Sequence, residues 1–144
     1  MTTALSHVGV CVSDLERSTR FYCEALGFER AESFEVGDEF AGLMELGSVR
    51  LASQFLRRDG LAGELLHSAA PPAAGERSRR PMNRFGLTHL CVRVDDVDAV
   101  AGAIAAAGGA VHEHTRTTLA DGQIDFVYCS DPDGTRLELM KAAF

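Results

Sequence analysis

HVGVCVSDL at residues 7–15 and HLCVRVDDV at residues 89–97 match in register at an offset of 82 positions. The offset persists to Gly27 and Gly109, each just past a helical pattern. A second echo follows: DGLAGEL at 59–65 matches DGTRLEL at 133–139, now offset by 74. The first copy therefore carries eight extra positions between Gly27 and Asp59. A chain repeating one supersecondary unit is read as that unit doubled.

Each copy opens as a strand. Val8, Val10 and Val12 alternate with His7, Gly9, Cys11 and Ser13, and Leu90, Val92 and Val94 alternate likewise; period two puts the aliphatic set on one face and the histidine on the other. A helix comes next. Ser13 and Glu16 have capping-box spacing, and Asp95 is the expected N-cap of the second helix. Leu15, Tyr22 and Leu26 form one apolar stripe, and Val97, Val100, Ala101 and Ile104 another. Short strand-like runs follow at 28–36, 40–46 and 49–56, then at 110–117, 124–129 and 135–140. Asp59-Gly60 and Asp133-Gly134 mark turns before the last strand of each copy. The order is β-α-β-β-β, twice, an α+β fold. Residues 67–86 hold three of the four prolines and no periodic pattern, as a linker does. The expected organisation is one domain over 1–144, with modules at about 5–66 and 87–141.

Composition narrows the function. The chain has 144 residues, 46% hydrophobic and 24% charged, globular proportions. A net charge of −7 argues against nucleic-acid binding, which neutralises phosphates with Lys and Arg. No apolar run approaches the roughly 20 residues that span a bilayer, so no membrane partner is expected. The start MTTALS lacks the basic and apolar regions of a signal peptide. Cys11, Cys23, Cys91 and Cys129 show no CxxC spacing and read as reduced thiols of a cytoplasmic protein. Cys11 and Cys91 are expected as small buried hydrophobes.

The polar exceptions point to chemistry. Glu64 lies between Ala62 and Leu66 on the last strand of copy one, and Glu138 between Arg136 and Met140 in copy two. A carboxylate on an otherwise apolar strand is costly unless paired or bound to a metal. His7, Glu64, His89 and Glu138 make an N/O set for a borderline divalent ion, Ni, Co, Zn, Fe or Mn. Four protein ligands in six-fold coordination leave two positions open for substrate. Gln54 is the substitute ligand should Glu64 not serve. Arg93 shares the His89 face and can take an anionic group. Tyr128 is a pocket-lining candidate. His67, His112 and His114 read as solvated, and Arg77, Arg79, Arg80 and Arg84 of the linker could meet an anionic substrate.

These motifs, with DPDGTRLEL at 131–139 closing the second copy, resemble the vicinal oxygen chelate superfamily, which includes glyoxalase I, extradiol dioxygenases, methylmalonyl-CoA epimerase, fosfomycin-resistance enzymes and bleomycin-binding proteins. The resemblance implies two modules forming a half-open metal-binding barrel, in a homodimer. It places metal ligands at His7, Glu64, His89 and Glu138. By likeness to glyoxalase I, Glu138 is also the base that removes a proton next to a carbonyl, with enediolate stabilisation by the metal. A small oxygen-chelating substrate is implied, with a low-molecular-weight thiol as co-substrate in the lactoylglutathione lyase case. One departure stands out: where bacterial-type glyoxalases carry an arginine four residues after the first histidine, this chain has Cys11, and Arg93 occupies the equivalent place in copy two. The alternatives are an Fe(II) extradiol-type dioxygenase, with Glu64 off the metal, and a drug-binding resistance protein. Only 7% aromatic residues and no Trp weigh against the last.

Overall fold

A computed structural model describes residues 3–142. The chain forms two compact units, dividing between Gly75 and Glu76 except that Glu24–Leu26 group with the second. In the first, β1 (Val8–Cys11) leads to α1 (Leu15–Leu26), β2 (Glu29–Val36), a 3₁₀ turn at Asp38–Phe40 running into the short helix α2 (Ala41–Met44), β3 (Arg50–Arg58) and β4 (Leu61–Ala70). In the second, β5 (Leu90–Arg93) leads to α3 (Val97–Ala106), β6 (Ala110–Leu119), a 3₁₀ turn at Ala120–Gly122, β7 (Ile124–Ser130) and β8 (Arg136–Lys141). The sheets have the same order, β1-β4-β3-β2 and β5-β8-β7-β6. In each, the first and last strands pair in parallel and the other neighbours antiparallel. Both sheets are open and four-stranded. The α+β class and the doubled βαβββ plan thus hold. Among the described residues, no helix is long and apolar enough to cross a membrane.

The first-copy run at 40–46 is not a strand. Phe40, Leu43 and Met44 are spaced three and four apart, which suits a helical turn better than the alternation a strand needs. The Asp38 carboxylate closes this connection by accepting from the Val49 amide at 2.7 Å. The connection spans 37–49, against 120–123 in the second copy, so the extra positions lie here. Both helix caps fall one residue later than expected. Asp14, not Ser13, caps α1 by accepting from the Arg17 amide at 2.9 Å. Asp96, not Asp95, caps α3 through the Ala99 amide at 3.0 Å. The one-residue shift keeps both caps 82 positions apart. Gly27 ends α1 at φ 68°, where a Cβ is disfavoured. The stretch expected as linker begins as strand, because β4 continues through His67 to Ala70.

One face of the second sheet is core. Leu137 and Leu139 of β8 and Cys129 of β7 are fully buried, and Val127 nearly so. They alternate with Arg136, Glu138 and Met140, and with Tyr128. Helix α3 packs against β6, β7 and β8 and turns Val97, Ala101 and Ile104 inward. Each buried leucine is worth about 1.5–3 kcal/mol, so the alternation fixes the register and commits Glu138 to the opposite face. In the first unit Leu65 is buried at 2% exposure, and its neighbour Glu64 falls on the other face for the same reason.

Candidate metal centre

In the first unit, His7 lies just before β1, and Gly9 pairs with Glu64 of the adjacent β4. The His7 Nε2 stands 3.2 Å from the Glu64 Oε2. The other carboxylate oxygen accepts from the Ser53 hydroxyl at 2.6 Å. The His7 Nδ1 meets the Ser6 hydroxyl at 3.0 Å, and the Phe55 ring packs edge-on against the imidazole at 5.1 Å. The second unit repeats the arrangement. Cys91 pairs with Glu138, the His89 Nε2 stands 2.8 Å from the Glu138 Oε2, the Nδ1 meets the Thr88 hydroxyl at 2.9 Å, and Tyr128 packs on the imidazole at 5.7 Å.

Sequence reasoning passed over Ser6 and Thr88, although they too lie 82 positions apart. Their role is electronic as well as steric. A hydroxyl donates or accepts, so it supports either tautomer. With Nδ1–H donating to the hydroxyl, the Nε2 lone pair is free for a metal, the arrangement metal-binding histidines use. With the tautomer reversed, Nε2–H donates to the carboxylate. Phe55 and Tyr128 are equivalent residues, each paired in register with the glutamate of its own copy.

These donors suit a divalent ion. Two ligands about 2.1 Å from a shared ion and at right angles to it stand about 3.0 Å apart. The observed 3.2 and 2.8 Å bracket that value. Imidazole nitrogen with carboxylate oxygen is the donor chemistry of borderline metals. Each pair supplies two donors, and among the described residues no third His, Cys, Asp or Glu joins either to make a metal-holding group.

Other candidates fall out differently. Gln54 is no substitute ligand: it is buried on the face away from Glu64, its amide nitrogen donating to the carbonyls of Ala31, Glu32 and Phe55. Cys11 and Cys91 are exposed, not buried. They lie on the face that carries the polar groups, and the core takes Cys129 instead. The Cys91 thiol is pushed up to about 11 by partial burial and then by the Glu138 charge beside it, so it stays protonated and is a poor metal ligand. Arg93 is exposed at the end of β5. His67 and His112 are half-buried rather than solvated: His67 Nδ1 lies 3.3 Å from the Val12 carbonyl, and His112 Nε2 lies 3.1 Å from the Ser130 hydroxyl. His114 is exposed. Of the linker arginines, Arg77 is paired with Asp133 at 2.9 Å, and Arg80 donates to the Leu87 carbonyl at 2.7 Å.

The doubled open sheets and mirrored His/Glu pairs define a vicinal-oxygen-chelate domain, and sequence comparison agrees. Residues 4–139 match the Glyoxalase/Bleomycin resistance protein/Dioxygenase superfamily, and the chain belongs to that family. It is 32% identical over 146 residues to a 2-epi-5-epi-valiolone epimerase of an Actinomyces species, covering 95% of this chain and 78% of the relative. The structure of a glyoxalase family protein from Bacillus cereus superposes with a TM-score of 0.84 at 17% identity, covering 97% of this chain and 94% of that one. Glyoxalase I from Zea mays gives 0.66 at 23% identity, covering 96% of this chain and 44% of the maize chain. At those identities the structural likenesses speak to the fold.

Proposed function

We propose that the protein is a divalent-metal-dependent lyase or isomerase of glyoxalase type, with His7, Glu64, His89 and Glu138 serving one ion, in one chain or across a homodimer. The observation that carries this reading is the mirrored donor pair, Nε2 to Oε2 at 3.2 Å in one unit and 2.8 Å in the other. A divalent ion held there would supply Lewis acidity to the two oxygens of a chelating substrate. Glu138 does the proton work. Its carboxylate is half-buried on the exposed face of β8, where it can accept a proton from the carbon next to a carbonyl and return it. Glu64, held through its second oxygen by Ser53, is the more tightly positioned of the two carboxylates. Arg93, two residues beyond Cys91 on the same face, binds the substrate's polar end.

The epimerase among the relatives favours the isomerase branch, because epimerisation beside a carbonyl is the same removal and return of a proton. Elemental analysis of the purified protein tests the metal directly. About one equivalent of Ni, Co, Zn, Fe or Mn per site, with activity lost in chelator and restored by metal, supports the reading. No metal at any occupancy overturns it. Hemithioacetals of several thiols, alongside cyclic 2-hydroxy ketones, separate the lyase from the isomerase.

A further inference from the structure

Arg136 is poorly explained by the fold. It sits on β8 two residues before Glu138, on the same face, with its guanidinium 5.5 Å above the Tyr128 ring. Its Nε is buried without a hydrogen-bond partner among the described residues. Its Nη1 meets only the Met82 sulfur, at 2.7 Å, a weak acceptor. A buried guanidinium nitrogen without an acceptor is costly, and the uncompensated charge of the group favours an oxyanion beside it.

A second cation, Arg79, lines a cavity beside Arg136. Ser130 pairs with Arg136 in register, and its hydroxyl bonds His112. Both line a cavity of about 500 Å³ together with Arg79. Unlike Arg77, Arg80 and Arg84, Arg79 is not fully exposed. The two residues before it are anchored to the second unit's last turn. Arg77 is tied to Asp133, and the Ser78 backbone packs so closely on Gly134 that a Cβ there would lie 2.8 Å from the Ser78 nitrogen. No carboxylate among the described residues pairs with Arg79. Asp131, the carboxylate lining the cavity, is buried and turned to the amides of Asp133 and Thr135 in its own loop. The positive field is felt at His112, whose proton affinity is lowered first by burial and then by Arg79, His114 and Arg136.

The geometry points to an oxyanion subsite formed by Arg79, Arg136, His112 and Ser130, which takes a phosphate-type group of the substrate. The inference rests on the reading of Glu138 as the proton-transfer residue. Two strand positions separate Arg136 from Glu138, about 7 Å, so the substrate carries its phosphate about that far from the acidic carbon. Arg93 lies towards the other end of the same face, paired with Met140.

Calorimetric titration of the full chain with inorganic phosphate, at low ionic strength and in excess chelator, tests the subsite without calling on any metal. Acetate runs in parallel. Saturable phosphate binding is expected, weakened at least tenfold in Arg79→Gln and in Arg136→Gln, partly restored in Arg136→Lys, and unchanged within twofold in Arg84→Gln. Acetate is expected to bind at least tenfold more weakly than phosphate. Thermal melts of each variant establish that it is folded, and Arg79→Gln, in the linker rather than the sheet, decides the matter should Arg136→Gln not fold. No saturable binding by the wild-type chain, acetate binding as tight as phosphate, or equal weakening by Arg84→Gln overturns the subsite. Phosphate binding in a chain that never takes up metal would retain the subsite and sink the metal-dependent reading; metal uptake without phosphate binding would do the reverse.

Discussion

The two units share a backbone plan and a His/Glu pair but not the surface around them. In the first, aromatic rings flank the histidine and glutamate. Phe55 packs on His7, and Phe34, 53% exposed, packs edge-on against Phe55 at 6.0 Å. In the second, the equivalent face carries Tyr128, Arg136 and His112, with a smaller cavity of about 220 Å³ lined by Thr115, Thr117, Tyr128 and Glu138. The donor pairs are duplicated, and the side chains around them are not. The first unit offers a wall for an apolar arm, and the second offers cations and hydroxyls.

That contrast can be broken most directly at the glutamates. Glu138→Gln keeps the shape and removes the proposed base, so turnover should fall by about 10²–10⁴, the usual worth of positioned acid–base catalysis. Glu64→Gln should chiefly weaken metal binding. Equal losses of turnover at saturating metal would erase the division of labour.

The two Asp-Gly turns sharpen the comparison in stability. Asp59 and Gly60 both have positive φ and form a two-residue turn between the paired Arg58 and Leu61, with open space around Gly60. Gly60→Ala should cost about 1–2 kcal/mol, the strain of the left-handed region alone. Gly134 has φ 91° and also lies against the Ser78 backbone, so Gly134→Ala adds an overpacking cost of about 1–3 kcal/mol. Chemical denaturation of the two variants reads the difference directly.

Ser53 tests an asymmetry at the donors. It pairs with Leu66, and the equivalent residue paired with Met140 is Phe126, so only Glu64 has this hydroxyl. Ser53→Ala should weaken metal affinity by about 10- to 100-fold, the usual effect of losing a group that orients a ligand. Competition with a chromogenic chelator measures it.

The smallest effect is expected at His112. Burial and neighbouring cations lower its folded pKa, so below the unfolded value of about 6.5 the unfolded chain binds more protons and stability falls with acidification. The melting temperature should therefore drop as pH falls through about 6.5, and His112→Gln should flatten that slope.

Much of this was legible in the residues. The offset of 82 placed both first strands, both helices and both histidines, because period-two and period-3.6 patterns are local and survive duplication. Glu64 and Glu138 were legible as polar breaks in apolar strands. The run at 40–46 was misread because a short apolar stretch fits either period. Cys11 and Cys91 were misjudged because a small residue's burial depends on what covers its face, not on its type. Ser6 and Thr88 carried a signal, their shared offset, that went unused.

The sequence by itself determined the doubled βαβββ plan, through the repeated offset, the family, through the motifs of each copy, and which face of each sheet carries His and Glu, through alternation along a strand. Tertiary structure decided that Nε2 and Oε2 meet at about 3 Å in each unit, that Gln54 turns away, and that Arg79, His112 and Ser130 line one cavity with Arg136 paired beside Ser130. Those facts depend on parallel pairing between residues 55 positions apart in one unit and 47 in the other and on the linker folding back over a turn, and no local pattern encodes the distance between residues so remote in the chain.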